Sequence, residues 1–138
     1  MAKSAARGIR LPADLQEEIE REMVRRDMGW SALVVELLTE TVRMRRAPGV
    51  VFVDGATGRR PVVAGSGLEV WEVVATWKEV GRNYDRLRAA YDWLTEPQLR
   101  AAISYYELYG DEVDARLERE RQMTRERVQR DLPFTRPR

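Results

Sequence analysis

A break at Ala47, Pro48 and Gly49 constrains the fold most, because it divides this chain of 138 residues into short segments. We expect four parts: a first segment at 1–46, a linker at 47–49, a second segment at 50–110, and a charged C-terminal arm at 111–138. Neither of the first two segments is long enough to bury a comfortable core alone. The size of these segments therefore predicts an oligomer.

The chain contains no cysteine and no histidine. Disulfides, zinc sites built on these residues, cysteine nucleophiles and Ser-His-Asp triads are therefore excluded. The 23 acidic residues lie mostly beside arginines on helical faces, in the i,i+4 pattern of surface ion pairs. Such a pattern lacks the convergent acids of a carboxylate-metal site. We therefore expect no enzyme, no metal, no cofactor and no small-molecule ligand.

The formal net charge of +1 gives no global electrostatic case for nucleic acid, so any such case must be local. No segment approaches the roughly 18–20 apolar residues of a membrane span. The segment at residues 1–6 is short and polar and does not resemble a signal peptide. We expect a cytoplasmic protein that does not bind membranes.

Residues 7–11 alternate, with Ile9 and Leu11 on one face, and predict a short strand that Pro12 ends. A first helix is expected over 13–27, with Leu15, Ile19 and Met23 in one stripe. Ser31 is expected to cap a second helix that continues to residue 45. One strand and two helices bury little in a single chain. The pattern therefore favours an intertwined dimer with antiparallel strands and a shared four-helix core.

This segment resembles the ribbon-helix-helix family of DNA-binding proteins. The resemblance implies that a two-stranded ribbon enters the major groove and that the second helix presents free N–H groups to a phosphate. The DNA-binding residues that it implies are Lys3, Ala6, Arg7, Gly8, Arg10 and Ser31. The resemblance implies that Arg10 recognises a base, guanine, and that Lys3 and Arg7 contact the DNA backbone. The alternative is a dimerisation module that does not bind DNA.

The middle segment predicts a β-hairpin from runs at 50–53 and 61–63, followed by three helices in a helix-turn-helix-like bundle. The fold class is therefore mainly α. Asn83 is expected to cap the second of these helices, and Thr95 with Gln98 to form a capping box on the third. We expect Trp71, Trp77 and Trp93 in the core. If the last helix read bases, the residues that face DNA would be Gln98, Arg100, Ser104 and Tyr105. The favoured alternative is that these residues form a solvated surface or an oligomer contact.

The order of these motifs is similar to a small bacterial domain found in VapB-type antitoxins. The residues that carry the similarity are Pro61-Val-Val, Gly81-Arg-Asn-Tyr-Asp-Arg-Leu, Tyr91-Asp-Trp-Leu-Thr and Ala101-Ala-Ile. The sequence departs from that family at Gly65-Ser66-Gly67, where relatives commonly have Gly-Thr-Arg. The resemblance implies a partner, since such antitoxins are usually encoded beside a PIN-like nuclease toxin.

The C-terminal arm alternates arginines with acids and ends in two large apolar residues beside a proline. Such a segment is suited to bind in a partner's groove. The expected toxin-binding residues are Arg127, Arg130, Leu132, Phe134 and Arg136, with the arginines pairing with carboxylates at the toxin's metal site. The alternatives are a helix that continues from the middle domain and contacts another protomer, or a frayed end.

The sequence thus favours a type II antitoxin that neutralises a PIN-like ribonuclease toxin and represses its own operon by binding double-stranded operator DNA. We expect a homodimer or a higher even oligomer. The alternative is a stand-alone transcriptional regulator without a toxin partner.

Overall fold

A computed structural model describes residues 4–132 and shows a mainly helical chain with one small antiparallel hairpin. Its elements, in chain order, are α1 (Ala13–Arg26), α2 (Trp30–Arg46), β1 (Val50–Gly55), β2 (Gly58–Val63), α3 (Val70–Glu79), α4 (Tyr84–Ala90) and α5 (Glu96–Asp131). In the part of the chain that is described, no helix is both long enough and apolar enough to cross a membrane.

The chain divides into two compact units, unit 1 at Met1–Val42 and unit 2 at Arg43–Arg138. The boundary falls inside α2, four residues before that helix ends, rather than at the expected linker 47–49. Ala47 is fully buried and belongs to the core of unit 2. The small side chain of Ala47 therefore packs in the core of unit 2, so this residue is not part of a linker.

Unit 1 consists of α1 and most of α2, as the spacing of the apolar residues predicted. Asp27 ends α1 in the left-handed conformation, where its N–H donates to the carbonyl of Val24. Arg26 of α1 and Glu36 of α2 form a 2.8 Å ion pair that is largely shielded from solvent. Among the described residues of this unit, the buried apolar side chains are Ile19 and Leu33. Unit 1 therefore has very little core of its own.

The strand expected over residues 7–11 is absent: residues 4–12 form neither helix nor strand, and Ile9 is 74% exposed. The expectation was wrong for the single chain because a strand requires a neighbouring backbone for its hydrogen bonds. In the described residues the one sheet is the β1–β2 pair. Ser31 is also not the helix cap, since α2 begins at Trp30.

The hairpin β1–β2 confirms the predicted pair of strands and extends both of them. Val50 lies opposite Val63, and both are buried at the open end of the hairpin. Gly55 pairs with Gly58 beside the turn. A single bridge from Val62 to Glu69 then connects β2 to the start of α3.

Helices α3, α4 and α5 begin at side-chain caps. Asn83 accepts from the N–H of Arg86, and Thr95 and Gln98 form a reciprocal capping box on α5, as predicted. Glu69 and Glu72 form a further capping box on α3. The core that these helices share with the hairpin consists of Ala47, Val50, Val63, Val70, Val73, Val74, Leu87, Leu94, Leu99, Ala101, Ala102, Tyr105 and Val113.

One further expectation about unit 2 was wrong. Trp93 is 59% exposed rather than in the core, because it follows α4 in the turn before α5. The segment from residue 111 is helical, as in the alternative of a helix that continues from the middle domain, and it follows a kink in α5 at Tyr109 (φ −130°, ψ 37°). Val113 is buried and Leu117 packs against the core, so the first turns of this segment belong to unit 2.

Candidate interaction surfaces

Unit 1 exposes a row of apolar side chains on α2. Val35, Leu38 and Val42 follow the i, i+3, i+7 spacing of one helical face, and their exposed fractions are 63%, 57% and 54%. We call this set the α2 stripe. Isolated exposed apolar residues are ordinary, but a contiguous row of them on one helix is typical of a contact surface.

The predicted DNA-binding residues of the N-terminal segment lie at the surface. Ala6, Arg7, Gly8 and Arg10 are all exposed in the irregular segment 4–12. Ser31 is also exposed, in the first turn of α2. Lys3 lies outside the described residues. Within the described range, no hydrogen bond or ion pair joins Ser31 to the segment. The single chain therefore makes these residues accessible without assembling them into one site.

An open groove of about 900 Å³ lies between α3 and the C-terminal part of α5. Trp71, Ala75 and Glu79 form its α3 wall at i, i+4, i+8. Its α5 wall includes Leu117, Arg121 and Val128. We call this feature the α3–α5 groove. Its lining mixes apolar side chains with charged and polar ones, which is the composition of a peptide- or helix-binding surface.

The predicted toxin-binding residues lie near the end of α5 but do not line the groove. Arg127 is almost fully exposed and only 3.9 Å from Asp131, and Arg130 is exposed. Leu132 is the C-cap of α5 and is 43% exposed. Phe134 and Arg136 lie outside the described residues. The described members therefore lie close together at one helix end, next to Val128 and Gln129 of the groove lining.

Sequence reasoning missed Trp71, Leu117 and Val128 as members of one surface. Leu117 and Val128 are eleven residues apart, which is about three helical turns, so they share one face of α5. That periodicity is present in the sequence and could have indicated the α5 wall. Nothing local to the sequence indicates that Trp71 of α3 lies opposite that face.

A polar cluster fixes the start of unit 2 on α5. Arg43 donates to the hydroxyl of Tyr105 at 3.0 Å and pairs with Glu112, which also accepts from that hydroxyl. The guanidinium of Arg43 lies 4.3 Å from the centre of the Tyr109 ring. Burial raises the pKa of Tyr105 to about 12, although the hydrogen bond from Arg43 opposes that rise. Tyr105 therefore stays protonated and structural at neutral pH.

The buried position of Tyr105 also changes the interpretation of α5 as a DNA reader. Tyr105 is fully buried, and Gln98 donates to the carbonyl of Ala64 as well as capping α5. Arg100 remains exposed and pairs with Glu96. Tyr105 is thus unable to contact a base, and Gln98 is already engaged within the fold.

In the range 4–132, no group of three or more metal-ligating side chains is arranged around a common point.

Comparison with known proteins identifies one similarity. Residues 50–106 match the family described as "Protein of unknown function (DUF433)". This range runs from β1 into the first half of α5 and lies within the segment that resembles the VapB-type antitoxin domain. The description gives no activity, so the antitoxin function stays a prediction. No curated protein and no solved structure matches the chain.

Proposed function

We propose that the chain is a dimeric DNA-binding antitoxin, which represses its own operon and neutralises a PIN-like ribonuclease. The observation that carries this proposal is the exposed α2 stripe of Val35, Leu38 and Val42 on a unit with almost no core. Full burial of such side chains stabilises an association by about 1.5–3 kcal/mol each. A second copy of unit 1 is the partner that would bury all three on both sides at once.

The same dimer would supply the missing partner for the N-terminal strand. Residues 7–11 alternate in sequence, yet Ile9 is exposed in the single chain. Antiparallel pairing of two copies would satisfy their backbone groups and turn Ile9 and Leu11 toward a shared core. This is the ribbon-helix-helix arrangement that the sequence resembles.

In that arrangement Ala6, Gly8 and Arg10 face the major groove of double-stranded DNA. Arg10 is the one long hydrogen-bonding side chain among them, so it carries base recognition. Lys3 and Arg7 contact the DNA backbone, and Ser31 lies at the helix start that approaches a phosphate. The proposed DNA site is therefore assembled by dimerisation.

Sedimentation of the full chain tests the dimer. We expect the wild type to be a dimer. We expect Leu38→Asp to raise the dissociation constant of that dimer by at least about a hundredfold, because the substitution places a charge in an apolar contact. Met123→Asp is the matched control, since Met123 is 62% exposed on α5 outside the stripe. A monomeric wild-type chain, or equal dissociation by both variants, contradicts the proposal.

Binding to the promoter region upstream of the gene tests the DNA site. We expect Arg10→Ala to weaken binding by about 1–3 kcal/mol and to reduce discrimination between sequences. Arg21→Ala is the control, because Arg21 is an exposed arginine paired with Glu17 on α1. If both variants bind DNA like the wild type, the ribbon is not the reader and unit 1 is a dimerisation module.

For toxin binding, the α3–α5 groove and the adjoining end of α5 are the proposed surface. The groove offers apolar residues for a helix of the toxin, while Arg127, Arg130 and Leu132 lie beside its end. The proposed anchors Phe134 and Arg136 follow directly in the sequence. Arginines here would pair with acidic groups at a nuclease metal site.

Co-expression with the product of the neighbouring gene tests this surface. We expect Val128→Asp to abolish co-purification and neutralisation while DNA binding persists, because Val128 lines the groove and lies outside the core. Met123→Asp again serves as the control on the same helix. If the two variants neutralise equally well, the groove is not the toxin site. If the wild type binds DNA but no neighbouring protein, the chain is a stand-alone regulator.

A further inference from the structure

A second and narrower cleft, of about 120 Å³, lies between the hairpin and α5. Its walls carry four arginines, Arg59, Arg60, Arg116 and Arg119, against two glutamates, Glu69 and Glu112. Trp71 forms part of the same wall. The cleft is rich in arginine, and three of these arginines have carboxylate partners: Arg59 pairs with Asp54, Arg60 with Glu69, and Arg116 with Glu69 and Glu120. We call it the arginine cleft.

Three buried donors on residues of the arginine cleft lack acceptors. The Nε atoms of Arg60 and Arg116 and the Nε1 atom of Trp71 have no hydrogen-bond partner in the described range. Buried N–H groups are nearly always paired in folded proteins, and an unpaired one is destabilising. All three residues line the arginine cleft, so an acceptor bound there is one way to pair these donors.

The two glutamates of the cleft are already engaged. Glu69 Oε2 lies 3.3 Å from Arg60 Nη1 and 3.7 Å from Arg116 Nη2, and its carboxylate also caps α3. Glu112 pairs with Arg43 and accepts from Tyr105. Both carboxylates are thus held in contacts that leave the Nε donors unmatched.

Gly55 makes room for one of these donors. A Cβ atom at Gly55 would lie 2.0 Å from Arg60 Nε and 2.5 Å from its Cδ, so the arginine side chain crosses the hairpin where Gly55 has none. Arg60 is in this way directed toward the side of the hairpin that faces α3, where it meets Glu69. A side chain at position 55 would therefore displace Arg60 from this path.

We infer that the arginine cleft binds one small oxyanion, a phosphate or a carboxylate group. Arginine N–H groups bind oxyanions through charge-assisted, often bidentate hydrogen bonds, and the indole N–H of Trp71 adds a neutral donor. The volume of about 120 Å³ holds a few water molecules or one such group. The four arginines of this site lie outside the lining of the α3–α5 groove, and Trp71 lines both.

Titration of the ¹⁵N-labelled full chain tests the inference, with inorganic phosphate and acetate as separate probes and sodium chloride at equal ionic strength as the reference. The chain has four tryptophans, and Trp71→Phe assigns the indole resonance of Trp71. We expect that resonance to shift saturably with one of the two oxyanions and not with chloride. A response equal to that of chloride for both probes overturns the inference.

Variants then test which residues hold the anion. We expect Arg116→Gln to weaken the affinity for the oxyanion, as obtained from the shift of the Trp71 indole resonance, at least tenfold. Arg116→Lys keeps the charge and should weaken that affinity severalfold. Gly55→Ala displaces Arg60 without changing any charge and should weaken binding as well. Arg125→Gln, an exposed arginine on α5, is the control and should bind like the wild type. Unchanged affinity in all three cleft variants overturns the site.

Discussion

Leu99 in unit 2 and Leu38 in unit 1 are the same side chain on two helices, yet Leu99 is fully buried and Leu38 is 57% exposed. Around Leu99 the hairpin and two further helices complete the core, whereas α1 and α2 leave the α2 stripe uncovered. Unit 2 therefore satisfies its hydrophobic pattern within one chain. The pattern of unit 1 is equally helical, but part of its apolar face stays exposed on the single chain.

The largest expected difference comes from the same substitution in the two units. We expect Leu99→Ala to lower the free energy of unfolding by about 2–5 kcal/mol, because it leaves a cavity in a closed core. Leu38→Ala should change the stability of the isolated protomer by less than about 0.5 kcal/mol, and should act instead on association. Urea unfolding at several protein concentrations measures both. If both variants lost the same free energy of unfolding at every protein concentration, the contrast between a closed core in unit 2 and an open surface in unit 1 would be contradicted.

A smaller difference is expected at the helix starts. In unit 2 the side chain of Asn83 caps α4, whereas Pro12 begins α1 without a side-chain hydrogen bond. We expect Asn83→Ala to destabilise unit 2 by about 1 kcal/mol and Asn83→Ser, which keeps an acceptor oxygen, to restore most of that loss. Denaturant midpoints distinguish the two variants, and an equal loss in both would assign the effect to something other than the cap.

The smallest expected effect concerns a half-exposed ion pair. The hydrogen bond from Lys78 lowers the pKa of Asp114 below its ordinary value of 3.8. Because the folded-state pKa is lowered, this contribution is present above pH 3.8 and is lost as the pH falls through the folded-state pKa. We expect Asp114→Asn to remove about 0.5 kcal/mol at pH 7, a small value because solvent screens the pair.

Unfolding of Asp114→Asn and the wild type at pH 7 and near pH 2.5 checks this linkage. The stability difference should shrink at the lower pH. Asp111→Asn, on an exposed residue of the same helix, is the control. A difference that is independent of pH would contradict the linkage. The Arg26–Glu36 pair of unit 1, which is more shielded from solvent, is the natural comparison.

Local signals in the sequence predicted the local features of the fold. Thr95 and Gln98 form the expected capping box, Asn83 caps α4, and the β-prone runs form the hairpin. The caps depend on residues three positions apart, and the hairpin joins two runs that are neighbours in the sequence. The strand expected at 7–11 has no such local partner in the chain, and an alternating pattern without a neighbouring backbone does not make a strand.

Features that depend on distant residues were not predictable. Tyr105 was expected among the outward residues of a DNA-reading α5, but it is buried because Phe52 of the hairpin and Tyr109 lie against its ring, with centroids 6.3 and 4.9 Å away. Tyr109 itself departs from helical geometry inside α5 (φ −130°, ψ 37°). The α3–α5 groove likewise requires knowing which helix lies opposite α5. Periodicity identifies a helical face but does not identify what covers it.

The outer end of α5 has a consequence for the lifetime of the protein. Its last buried residue is Val113, and from Arg121 to Val128 every residue is exposed. Helical turns without core contacts open locally far more often than buried ones, so their amide protons exchange faster and proteases cleave them more readily. A partner bound along this end would slow that cleavage. The rate of removal of the chain would then depend on whether its binding surface is occupied.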